Sequence, residues 1–137
     1  MEPAHQQQET HKYLIHYPDH YPRQTDPHYP AFEAYRKAHI ATAKCHYADV
    51  TGDASQCQGG LELHHRIIEF ALQNAVDFAR LSKDYPALTD PSQVAAWVES
   101  EPNFRFYCEF HHRGHAGVHV ASSSDFEASY YVKDLIS

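Results

Sequence analysis

The stretch YCEFHHRGHAGVH, Tyr107 to His119, holds four histidines and a cysteine. Imidazole and thiolate are the side chains that zinc and related cations prefer, so the first chemistry to consider is metal binding. Cys108 and His111 are spaced C-x2-H, close enough to grip one ion from a single turn. Cys45 and Cys57 lie upstream on either side of a turn-rich loop, eleven residues between them. Together the four form a Cys3His set, a common closed arrangement for structural zinc. The competing reading is three buried free thiols acting as small hydrophobes.

His112, His115 and His119 remain, with the upstream pair His64–His65. Neighbours on a strand point to opposite faces, so His64 and His65 do not easily share one metal. One can ligate while the other addresses something else. That division suits hydrolysis, in which a metal needs ligands and an attacking water needs a base.

The elements that must position these residues can be read in order. Residues 1–30 are poor in aliphatics and repeat "HYP" at His16, His20 and His28. Recurrent proline forbids a helix and favours an extended or flexible arm, with a histidine-rich metal tail as the sharper reading. From Ala31 to about Lys44 the sequence predicts a helix, with Phe32, Tyr35, Ile40 and Ala43 on one face. "LELHHRI" alternates Leu61, Leu63 and His65 with Glu62, His64 and Arg66, the pattern of a short strand. Ile68, Leu72, Ala75, Val76 and Ala79 then follow helical spacing. Asp90, Pro91 and Gln93 make a capping box before "VAAWV", and Phe104 to Tyr107 reads as a second strand. A last helix is expected from Ser124 through Phe126, Tyr130, Val132 and Ile136.

"LELHH" followed by "NFRFYCEFHH" resembles the HNH endonuclease motif, a ββα-metal fold. In that family a His-His or Asp-His pair ends the first strand, an asparagine precedes a cysteine knuckle, and a histidine follows it. Asn103 stands five residues before Cys108, and His112 follows the C-x2-H. The likeness covers about Cys45 to Ser137 and extends to small phage and bacterial HNH proteins. It implies an α+β fold: a small ββα-metal core with a structural zinc knuckle, a helical insertion at 67–102 and flanking helices. Residues 31–137 would form this single domain behind the 1–30 arm. Two departures stand out, the long gap between His65 and Asn103 and the glycines that cut short the helix carrying the last ligand.

Carried over, the resemblance implies His64 and His112 as ligands of a catalytic divalent ion (Mg, Mn, Ni or Zn) and His65 as general base. Asn103 would position the loop and the base. The last ligand would be His119 or His115. His119 is favoured because a loop broken by Gly114 and Gly117 can fold back beside His112, whereas His115 suits only a continuing helix. His111 then belongs with Cys45, Cys57 and Cys108. The implied reaction is hydrolysis of DNA phosphodiester bonds to 5′-phosphate and 3′-hydroxyl ends. Arg66, Arg105 and Arg113 are the nearest candidates for phosphate contacts.

The formal charge of −7 argues against nucleic-acid binding by charge alone, though bound divalent cations would offset part of it. Segment 67–102 carries Glu69, Asp77, Asp84, Asp90, Glu99 and Glu101 against Arg80 and Lys83, which suits a protein partner or solvent better than DNA. The rival to a nuclease is therefore a non-cleaving zinc-binding adaptor or phage DNA-packaging factor. No run of eighteen apolar residues exists, and the N-terminus is polar. An intracellular, cytoplasmic protein of a bacterial or phage-infected cell is the expectation, with no membrane contact.

Overall fold

Strand β1, Leu61–His65, pairs antiparallel with β2, Phe104–Cys108, in a two-stranded sheet. His65 lies opposite Phe104, Leu63 opposite Phe106, and His64 opposite Arg105. The alternation divides the faces as the sequence predicts. Leu63, Phe104 and Phe106 pack with Phe32 and Tyr35, both on helix α1 (Tyr29–His39), and with Ile40 just beyond it. The opposite face carries Glu62, His64 and Tyr107. The computed structural model describes residues 1–8, 17–114, 117–119 and 131. The expected helix from Ser124, apart from Tyr131, and His115 lie outside these described residues.

Helix α1 ends earlier than the sequence suggests. β-branched Ile40 and Thr42 weaken the helix, and the N–H of Ala43 closes onto the His39 carbonyl at 2.8 Å, turning the chain toward Cys45. Helix α2, His46–Thr51, begins directly after Cys45 and ends at Gly52, whose φ of 71° makes it a left-handed cap. Helix α5, Glu109–Arg113, begins directly after Cys108. Two of the three thiols thus sit at the start of short helices.

The segment between the strands is helical but broken. A 3-10 turn, Phe70–Ala75, is followed by α3, Phe78–Asp84, instead of one continuous helix. The break falls at Val76 and Asp77, whose backbones are extended. Asn103 Oδ1 accepts the N–H of Ile67 at 2.8 Å and of Ile68 at 3.0 Å, and Asp77 caps α3 by accepting from Arg80 N. The capping box at Asp90 and Gln93 forms as expected and leads into α4, Val94–Val98. Leu81, Leu88, Val94, Trp97 and Val98 make a core belonging to this segment.

The arm also touches the domain. Asn74 donates to the Asp19 carbonyl at 2.8 Å, and a 3-10 turn at Arg23–Thr25 delivers Arg23 to the hairpin end. Among the described residues, no helix is long and apolar enough to cross a membrane. The result is a small α+β domain whose hairpin is covered on both faces.

Candidate metal centres and the cavity beside them

Cys45, Cys57, Cys108 and His111 bring one ligand atom each into a single group, all within 4.8 Å of one another. His111 Nδ1 lies 3.2 Å from Cys108 Sγ, 3.4 Å from Cys45 Sγ and 3.5 Å from Cys57 Sγ. Tyr47 stacks on the His111 ring at 4.2 Å, and His111 is only 2 % exposed. The loop bearing Cys57 is tied to α5 by Phe110 N donating to Gln58 O and Glu109 N to Gly60 O. No disulfide forms among the three cysteines.

Electrostatics set the condition under which these thiols ionise. Burial, reinforced by the facing thiols of Cys108 and Cys45, pushes Cys57 up to about 12. Burial also acts to raise Cys108, but backbone N–H groups of His111 and Gln58 outweigh it and bring the thiol below its ordinary value. Three thiolates cannot share this space unless positive charge neutralises them. The donor set, its closeness and its burial fit a structural zinc ion.

His64, His112 and His119 form a second group within 4.8 Å. The return of His119 depends on the glycines. The N–H of Val118 bonds His111 O at 2.9 Å, and that of His119 bonds His112 O at 3.1 Å. A Cβ at Gly114 or Gly117 would run into the backbone of Phe110, and at Gly117 into that of His112 as well. His112 and His119 then meet Nε2 to Nε2 at 2.9 Å. Glu62 Oε1 stands 3.1 Å from His112 Nδ1, which keeps that nitrogen occupied and leaves Nε2 for an ion. Glu69 approaches His64 Nδ1 at 4.0 Å.

His64 is held neutral. Burial first, then the neighbouring His119, His112 and His65, push it down to about 3. Burial lowers His119 too. A neutral imidazole is the form that ligates, so burial favours the ligating form of His64 and His119. These donors fit a divalent ion with open coordination positions.

A cavity of about 430 Å³ opens beside this triad, lined by Arg23, Leu63, His64, His65, Glu69, His112, Arg113 and His119. His65 faces it from the end of β1. The ring stacks on Phe32 at 5.1 Å, and Nε2 lies 3.1 Å from Glu99 Oε1. Asn103, fully buried, does not bond His65. Its amide joins Ile67, Ile68 and Val98, and its carbonyl accepts from Arg66 N at 2.7 Å, so it locks the chain that leaves β1.

The three arginines separate. Arg113 lines the cavity, Arg66 is exposed outside it, and Arg105 donates to His46 Nδ1 at 3.3 Å. Sequence reasoning overlooked Arg23, Glu62 and Glu99. Glu62 had a usable signal, since it precedes His64 by two on the same strand face. Arg23 and Glu99 had none, because only the tertiary fold joins the arm, the insertion and β1. Comparison with protein-family models, with curated proteins and with solved structures found no match.

Proposed function

We propose that this protein is a metal-dependent DNA endonuclease of HNH type. The observation that carries the reading is the convergence of His64, His112 and His119 on a cavity that also receives His65. His64, His112 and His119 would hold a divalent ion, which would supply Lewis-acid stabilisation of the charge that develops on a phosphodiester. His65, kept out of the ligand set by strand alternation, takes the proton from the attacking water. Asn103 keeps the strand end in register, and Arg113 at the rim meets a phosphate oxygen. The products are 5′-phosphate and 3′-hydroxyl ends. Cys45, Cys57, Cys108 and His111 hold a structural zinc that fixes α5, and with it His112.

DNA is the partner in this reading, and the cytoplasm of a bacterial or phage-infected cell is its setting. The exposed acids of residues 67–102 suit a protein partner. A second reading, a zinc module of the same fold that binds without cutting, is favoured by the net charge of −7. Incubating purified protein with supercoiled plasmid across Mg, Mn, Ni and Zn separates the two. Nicked or linear product with one or more of these ions is expected. Plasmid left intact with every ion would remove the nuclease reading.

A further inference from the structure

We infer that Glu99 is a positioning residue for His65, its buried carboxylate holding the imidazole in the tautomer with the proton on Nε2 and leaving Nδ1 free to accept one. The inference rests on the reading of His65 as general base.

Glu99 is unlike its acidic neighbours. Asp77, Asp84, Asp90 and Glu101 are exposed and Glu69 is half-buried, whereas the Glu99 side chain is 0 % exposed. Packing of α4 does not call for a carboxylate just past its last turn, and burying one is unfavourable unless donors surround it. The donors come from two distant parts of the chain. Arg23 reaches in from the arm, with Nε 3.4 Å from Oε1 and a terminal nitrogen 3.4 Å from Oε2. His65 supplies the other contact at 3.1 Å. The Arg23 guanidinium is itself fixed over the Phe32 ring at 4.0 Å, and the same ring stacks on His65.

This arrangement selects one tautomer. Arginine can only donate, and a carboxylate facing it can only accept. His65 Nε2 has two neighbours, the Glu99 oxygen at 3.1 Å and the Arg23 terminal nitrogen at 3.5 Å. The shorter contact requires the proton on Nε2. The lone pair is then on Nδ1, for which no hydrogen-bond partner is present among the described residues. An imidazole with its proton on the wrong nitrogen cannot receive one from water in the same pose. Glu99 thus acts through His65 and belongs neither to the cavity lining nor to the ligand triad.

The test reads the tautomer directly, without catalysis. Long-range ¹H–¹⁵N spectra of zinc-loaded, histidine-labelled full chain report which His65 nitrogen bears the proton. Wild type is expected to show it on Nε2; a proton on Nδ1 would overturn the inference whatever the variants do. In Glu99→Gln, Arg23 claims the one remaining oxygen and turns the amide nitrogen toward His65, so the proton should move to Nδ1. Plasmid cleavage should fall by about 10–100-fold in kcat with KM unchanged. Glu99→Asp retains an acceptor and should keep the Nε2 proton. An unchanged tautomer and unchanged kcat in Glu99→Gln would also overturn the inference. A wild type that cuts no plasmid overturns the nuclease reading instead, a result distinguishable because the spectrum is independent of turnover.

Discussion

The two ligand clusters share one hairpin yet differ in what encloses them. Cys45, Cys57, Cys108 and His111 offer four ligands, all buried except the half-buried Cys57, with Tyr47 stacked on His111. His64, His112 and His119 offer three, with His119 exposed and a cavity alongside. Four protein ligands complete a tetrahedral shell and leave an ion nothing further to do than hold chain segments together. Three leave room for water and phosphate. Adjacent residues carry the difference: His111 turns to the closed cluster and His112 to the open one, from the same turn of α5.

This contrast can be broken most severely at the closed cluster. Cys108→Ser should remove about one equivalent of zinc and lower stability by several kcal/mol, roughly a 10 °C or larger fall in Tm, because structural zinc binding is coupled to folding. Elemental analysis with calorimetry checks it. Full stability without zinc would make the cluster three ordinary buried thiols.

At the open cluster the larger effect is on rate. His65→Ala should reduce plasmid cleavage by about 10²–10⁴ while zinc content stays near wild type, and Tm should fall modestly because the buried Glu99 loses a donor. Undiminished cutting would remove His65 from its role. Next comes affinity. His119→Ala should weaken Ni or Mn binding at the second site by about 100-fold or more, exceeding the effect typical of an outer-shell change. His115→Ala should retain that binding. Calorimetric titration of both variants decides, and the reverse pattern would exchange the two assignments.

The smallest effect concerns protons. His64 is pushed from 6.5 down to about 3 in the fold, so between those values the unfolded chain binds more protons. Its contribution to the stability of chelated protein should be fully present above about pH 6.5 and fall away as the pH drops toward 3. Burial of His111 and His119 acts in the same direction. Denaturant midpoints at about pH 7.5 and about pH 5 measure this loss, and His64→Gln should shrink it. A midpoint that does not change with pH would contradict the burial of His64.

Much of this was legible in the residues. Period-two alternation found β1, the run FRFY was read as β2, C-x2-H found Cys108 and His111, and two glycines in one loop pointed to His119 folding back. What escaped depended on long-range approach. The path that leaves β1 is held by Asn103 accepting the N–H groups of Ile67 and Ile68, a bond no local pattern encodes. The role of Glu99 was hidden in the same way. Its charge read as part of an acidic surface, and only its place after α4 turns it inward.

The separation of the two strands along the chain has a thermodynamic consequence of its own. Closing a loop loses entropy only logarithmically with length, about 0.6 kcal/mol for each doubling. The long excursion between His65 and Phe104 is therefore a small burden on hairpin formation, and its private core of Leu81, Val94, Trp97 and Val98 removes much of the slack. Asn103 then acts as a clasp where the excursion returns, bonding Val98 O on one side and Ile68 O on the other. Segments of quite different length and surface can be carried on such a clasp without disturbing strand registry, provided both ends still meet it.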